Sequence, residues 1–148
     1  MIVHFHLKSQ FVELTRLAGE ITRLGAEHRL SEEAIFHLNL ALEEVLSNII
    51  RHGYGEREDG EISLAIHLAP EAVVVTVEDY GVPFNPLEVP DPDLTVPLDE
   101  RAVGGLGVYL VRQLMDEVTY RAEGGKNILR MMIRIAPCQP SRGAAGAE

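Results

Sequence analysis

Apolar and polar positions change period several times along the chain, and each change marks an element. Residues 2–7, IVHFHL, alternate as a half-buried strand does and predict an edge or surface strand. Ser9 then stands where a cap would open a first helix over about 10–27. Ser31, followed by Glu32 and Glu33, is an N-cap with acids in the first turn. The helical pattern behind it runs to about residue 51, with Gly53 as the expected C-cap. Two β-rich runs, EISLAIHLA and AVVVTVEDY, flank Pro70-Glu71 and predict a hairpin over 61–80. Periodicity fades over 82–103, which holds five of the eight prolines, and returns in VYLVRQLM behind the glycines of GGLG at 104–107. Strands at about 117–122 and 127–135 complete the pattern, and the tail from Pro137 is expected to fray.

The order β-α-α-β-β-loop-α-β-β predicts an α+β fold, a two-layer sandwich with helices on one face of a mostly antiparallel sheet. A length of 148 residues is that of one compact domain. It is read here as residues 1–136 with a tail at 137–148, and no internal repeat is visible.

The second helix carries more than a core face. At about 100° per residue, with Glu44 at zero, its apolar residues sweep one arc from roughly 60° to 200°. Asn48 falls at about 40° and Arg51 at about −20°, so Glu44, Asn48 and Arg51 form a polar stripe on the border of that arc. A carboxylate and an amide four residues apart suit one kind of chemistry, in which the amide oxygen binds a hard cation while the carboxylate orients a water or hydroxyl. Taken alone, the pair is more often what a solvated flank carries.

Two further stretches bear on it. In VEDYG at 77–81, Asp79 ends a buried strand and Gly81 follows. Such an acid accepts a hydrogen bond from an exocyclic amine while a flat base lies against the glycine, although Asp and Gly also simply favour turns. In GGLG, glycines open a helix whose N-terminus favours phosphate oxygens. His37 and His52 lack metal-ligand spacing and read as border or capping residues. Arg101 is either a solvated loop residue or one that reaches a phosphate, and Tyr54 reads as packing below the helix end.

Charge and cysteine usage narrow the classes. With 13 Lys+Arg against 23 Asp+Glu the net charge is −10, which argues against a sequence-independent grip on nucleic acid. A bound anion must then be held by local devices. The lone Cys138 forms no intrachain disulfide, the opening MIVHFHLK lacks the pattern of a leader, and no apolar run approaches membrane length, so a cytoplasmic protein is expected.

The ordered set EEVLSNIIRHGYG, VEDYGVPFNP, GGLGVYLVRQLMDEVTY and GGKNILRM resembles the GHKL ATP-binding superfamily of histidine kinases, DNA gyrase and the MutL repair proteins. Within it, over residues 2–135, the chain most resembles the anti-sigma factor serine/threonine kinases of bacterial partner-switching systems. The resemblance implies the Bergerat ATP-binding fold, with ATP and Mg²⁺ as cofactors. It implies that Glu44 is the catalytic base or water-orienting carboxylate and that Asn48 is the Mg²⁺ ligand. It further implies that Asp79 meets the adenine amino group with Gly81 lining the base. Gly105, Leu106 and Gly107 would stand at the phosphate end, and about 87–103 would form a mobile lid. The implied activity is phosphorylation of a small anti-anti-sigma (STAS-type) partner and sequestration of a sigma factor by a homodimer, a role in transcription and stress response.

Three positions depart from the superfamily pattern. Pro83 stands where a second glycine is common, Asn127 where a threonine is common, and Arg16 matches a partner-gripping arginine only with a shifted alignment. An ATP-dependent switch that regulates a phosphatase or other protein without phosphoryl transfer would use the same pocket. The two readings separate at Glu44, whose carboxylate only transfer requires. A detached sensor-kinase domain would need a phosphoacceptor-histidine helix, and His37 lies inside the ATP-site helix.

Overall fold

In the computed structural model, residues 1–88, 90–91, 93–95 and 106–136 are described, with only the backbone of Leu106 included. The expected tail at 137–148 and Cys138 within it lie outside these residues, as do Arg101, Gly104 and Gly105 and positions 89, 92 and 96–103 of the expected lid.

Five strands form one sheet: β1 (Ile2–Lys8), β2 (Glu61–Leu68), β3 (Ala72–Asp79), β4 (Glu117–Glu123) and β5 (Lys126–Arg134). Their order is β1-β2-β3-β5-β4, every neighbouring pair is antiparallel, and β1 is an edge strand as its alternation predicts. Among the described residues three α-helices, α1 (Val12–Glu27), α2 (Glu32–Asn48) and α3 (Leu106–Leu114), complete the α+β sandwich.

The register explains why one face is covered. Ile62, Leu64 and Ile66 of β2 lie opposite Asp79, Val77 and Val75 of β3, and these in turn lie opposite Asn127, Leu129 and Met131 of β5. All nine are buried, on the face that meets Leu17, Ile21, Leu38, Leu42 and Val111 from the helices. Side chains alternate across a strand, so one register fixes a single apolar face, and only at its end does that face turn polar, at Asp79 and Asn127.

Three local features depart from expectation. Ser9 does not cap α1; Phe11 occupies that position and makes no side-chain cap bond. Ser9 is buried instead: its hydroxyl donates to the Arg57 carbonyl and accepts the Gly60 amide at 3.0 Å, sealing the end of β1 to the segment before β2. Ser31 does cap α2, accepting the Ala34 amide at 3.0 Å.

The second departure lies at the end of α2. The α-helix stops at Asn48 and continues as one π-turn, Ile49–Gly53, closed by the Tyr54 amide on the Ile49 carbonyl at 2.9 Å. Gly53 therefore ends the π-turn rather than capping an α-helix in a left-handed conformation; the positive-φ glycines among the described residues are Gly55, Gly124 and Gly125. The third is Arg29, which takes φ 57° just past α1 while the Leu30 amide reaches back to the Gly25 carbonyl at 2.9 Å, a Schellman-type ending without its usual glycine.

Candidate functional site

Asp79 ends β3 on the covered face and is only 5% exposed. Both of its hydrogen bonds fall on Oδ1: the Gly81 amide donates at 2.8 Å and Asn127 Nδ2 at 3.0 Å. Asn127 Nδ2 also donates to the Gly81 carbonyl at 3.0 Å, and the Tyr120 hydroxyl donates to Asn127 Oδ1 at 2.7 Å. Burial pushes the Asp79 carboxyl above its ordinary value, and the bonds from Asn127 and Gly81 oppose it.

Glycine at 81 is a matter of space. A Cβ there would lie 2.6 Å from the carbonyl carbon and oxygen of Gly53, two backbones in contact. The Val82 amide donates to the Gly53 carbonyl at 2.8 Å and locks them together. From below, Tyr54 accepts the Tyr80 amide at 2.7 Å on its hydroxyl, which donates to the Glu61 carbonyl at 2.6 Å. The turn after β3 is thus held from three directions.

Above it opens a cleft enclosing about 620 Å³ of empty space, part of it open to solvent. Val45, Ile49, Phe84, Val108, Val111 and Leu129 make most of its wall apolar, and Asn48, Asp79 and Asn127 supply polar groups. Apolar walls with a few convergent polar groups suit a flat ligand with a polar edge.

Of the residues singled out from sequence, Asn48 and Asp79 meet in this cleft, with Gly81 directly behind Asp79. Glu44, one turn before Asn48, abuts Gly107 in the first turn of α3, where any Cβ would collide with its carboxylate. Gly107 is therefore the residue that lets α3 approach the polar border of α2. Leu106 begins that helix, and Gly105 lies outside the described residues. Arg51 does not join the stripe. The π-turn widens the helix after Asn48, and the Arg51 guanidinium lies 5.2 Å over the Phe11 ring instead. His52 stands with its ring 6.3 Å from Phe84, and His37 lies 3.9 Å from Glu33 on α2.

Sequence reasoning missed three contributors. Tyr54 packs as expected but also uses its hydroxyl as a clamp. Arg112 of α3 donates to the Leu87 carbonyl and lies 3.2 Å from Asp91, tethering the segment after Phe84. Tyr120 orients Asn127, and the overlooked signal was Gly124-Gly125: both have φ > 0, as a two-residue hairpin turn requires, and that turn sets Ala122 opposite Asn127 with Tyr120 on the same face. Among the described residues no three His, Cys, Asp or Glu converge as a metal site, and no helix is long and apolar enough to cross a membrane.

Residues 8–133 match the family model described as a histidine kinase-like ATPase domain. The chain is 29% identical over 126 residues to the serine-protein kinase RsbW of Listeria innocua serovar 6a, covering 82% of this chain and 79% of that one. It is 31% identical over 128 residues to the serine-protein kinase RsbW of Bacillus cereus strain Q1, covering 82% and 77%. In fold it is similar to a structure of RsbU and RsbW domains from Mycobacterium tuberculosis, with a TM-score of 0.66 at 18% identity. The match covers 94% of this chain and 34% of that one, so the chain spans about a third of that protein.

Proposed function

The chain belongs to the histidine kinase-like ATPase domain family, and from that premise we propose that it is an ATP- and Mg²⁺-dependent serine/threonine protein kinase acting as an anti-sigma factor. Its substrate is an anti-anti-sigma partner of STAS type, and in its other state it sequesters a sigma factor. It works as a homodimer in the cytoplasm. The similarity to two serine-protein kinases over four-fifths of the chain supports the activity.

The observation that carries the nucleotide assignment is the half-satisfied carboxylate of Asp79. Oδ1 is occupied by Gly81 and Asn127, which leaves Oδ2 to accept from the exocyclic amine of adenine at the polar end of an apolar cleft. Guanine presents a carbonyl at that position, and a carboxylate repels it. By the resemblance Gly81 lies along the base; its missing Cβ makes room for the Gly53 backbone, which lines the cleft beside Asp79.

The residues present fit Mg·ATP without a dedicated cage. Asn48 offers one amide oxygen in the cleft, and Mg²⁺ prefers few protein ligands with phosphate and water completing its shell. When bound, the ion neutralises phosphate charge and aligns the terminal group. By the resemblance Gly105, Leu106 and Gly107 stand at the phosphate end, and the α3 N-terminus that begins at Leu106 offers backbone amides there, a local device that suits a chain of net charge −10. Glu44 accepts the proton of the partner's serine or threonine hydroxyl as its oxygen bonds the γ-phosphorus and the bond to ADP breaks. Positioning and charge neutralisation suffice for this chemistry, so a single domain can perform it.

The test is transfer of labelled γ-phosphate to a cognate anti-anti-sigma protein, with mass spectrometry to locate the phosphorylated serine or threonine. Glu44→Gln is expected to bind ATP normally and abolish transfer, whereas Asn48→Ala weakens Mg·ATP binding itself. Undiminished transfer by Glu44→Gln would remove Glu44 from the chemistry. ATP-dependent partner association without any transfer by the unmodified protein would establish the switch reading instead.

A further inference from the structure

Asn127 is one of only three buried polar or charged residues among those described, the others being Ser9 and Asp79. Ser9 closes a loop, but Asn127 touches the site. Its amide is saturated on the donor side, with Nδ2 giving one hydrogen to Asp79 Oδ1 and the other to the Gly81 carbonyl, both at 3.0 Å. Its Oδ1 accepts from the Tyr120 hydroxyl at 2.7 Å. The opposite amide orientation would set Oδ1 against two acceptors, so this network admits one orientation only, with Oδ1 turned to accept from the Tyr120 hydroxyl.

We propose that Asn127, oriented by Tyr120, is a positioning residue for base recognition: it binds one oxygen of Asp79 and the Gly81 carbonyl together, so that the second oxygen presents to the ligand as an ionised acceptor in a fixed direction. The proposal rests on the reading of Asp79 as the acceptor of the adenine amine. A carboxylate in an apolar cleft tends to protonate, and a protonated Asp79 could place a hydrogen where the amine needs a lone pair. Nδ2 counters this directly because it donates to the ionised form, and the Gly81 amide adds a second donor. The same Asn127 nitrogen that holds Asp79 also holds the Gly81 carbonyl, so the carboxylate and the turn are fixed together.

The other groups around Asp79 do not supply this charge stabilisation. Tyr54 and Tyr120 face it as phenols, and burial pushes both hydroxyls up, so they stay neutral in the working range. Arg112 lines the cleft from α3, but its guanidinium is engaged with Leu87 and Asp91. Asn48 contributes an uncharged amide from α2, and Glu78 and Lys126 pair with each other at 3.2 Å. Asn127 is thus the side chain that keeps Asp79 ionised. A threonine there, with one hydroxyl hydrogen, could serve Asp79 or Gly81 but not both.

The experiment follows the Asp79 carboxyl by ¹³C NMR against pH in the nucleotide-free protein, assigned by its absence in Asp79→Asn, and measures ATP affinity calorimetrically over pH 6–8. In Asn127→Leu, similar in shape without polar atoms, the carboxyl midpoint moves up and ATP affinity falls about tenfold or more, with the loss deepening toward pH 6. Asn127→Thr shows a smaller shift, and Tyr120→Phe, which keeps the ring but frees the amide, moves the midpoint the same way. Thermal melts identify any variant that fails to fold, in which case Tyr120→Phe decides. An unchanged carboxyl midpoint in a folded Asn127→Leu or Tyr120→Phe protein overturns the proposal. If instead the midpoint moves as expected but Asp79→Asn binds ATP as tightly as the unmodified protein, the positioning stands and the assignment of Asp79 to the base fails.

Discussion

Replacing Tyr54 by Phe removes one oxygen and leaves the ring in position beneath Gly60, where a Cβ would lie 2.5 Å from the ring. The oxygen serves two backbone groups, accepting the Tyr80 amide at 2.7 Å and donating to the Glu61 carbonyl at 2.6 Å. Each bond contributes about 0.5–1.5 kcal/mol net of exchange with water, which gives about 1–3 kcal/mol for the two. In a chain of this size 1 kcal/mol moves Tm by about 2–4 °C, so the middle of that range corresponds to about 4–8 °C. Urea unfolding at neutral pH measures it, with an unchanged slope as the sign that only stability has moved.

The same substitution has an alkaline signature. Burial holds the Tyr54 hydroxyl above its ordinary value, so the stability it contributes is fully present below the unfolded pKa of about 10 and is lost as pH rises through the folded value. The gap between the unmodified protein and Tyr54→Phe therefore narrows above about pH 10. ATP affinity should fall as well, because the freed amide belongs to Tyr80, next to Asp79. A stability loss below about 0.5 kcal/mol, the lower bound for even one bond, together with unaltered ATP binding would refute the clamp.

Two further predictions concern conformation and charge. Asp79→Asn keeps a carbonyl oxygen for Gly81 and Asn127 but carries no charge; the folded carboxyl is raised by burial, so its stabilising contribution is lost as pH rises above about 4. The variant's melting advantage should therefore grow from acid toward neutral pH while ATP binding disappears, and a pH-independent difference would contradict the burial argument. Arg29→Gly relieves a left-handed backbone at φ 57° and should stabilise the fold by about 0.5–1 kcal/mol net of the extra freedom of the unfolded chain, as measured by thermal unfolding.

Periodicity was enough to read the layers. Alternation in IVHFHL and the two β-rich runs marks strands whose register leaves one apolar face, and the Ser31 cap fixes where α2 begins. The α2 border was legible through Asn48 for the same reason. Beyond it the π-turn breaks the 100° count, so Arg51 swings away to Phe11. Ser9 misled because a residue before a helix can equally bond across chain ends, and only the fold brings Arg57 and Gly60 to it. Asp79 and Gly81 were visible as a strand end and a thin backbone, but the partner that demands the glycine, Gly53, is 28 positions away in sequence. Asn127 was visible as a departure from the superfamily threonine, but Tyr120 became readable as its partner only through the Gly124-Gly125 turn that pairs their strands.

The contact between Gly53 and Gly81 also bears on the thermodynamics of ligand binding. It joins the end of the helix that carries Asn48 to the end of the strand that carries Asp79, backbone against backbone, with the Val82 amide on the Gly53 carbonyl as a cross-tie. The relative orientation of those two groups is consequently ordered when the chain folds rather than when a nucleotide arrives. An arriving ligand then loses its own freedom but need not bring that part of the protein to order, so more of its contact energy appears as affinity. A side chain at position 81 would separate the two backbones and move that entropic cost from folding to binding.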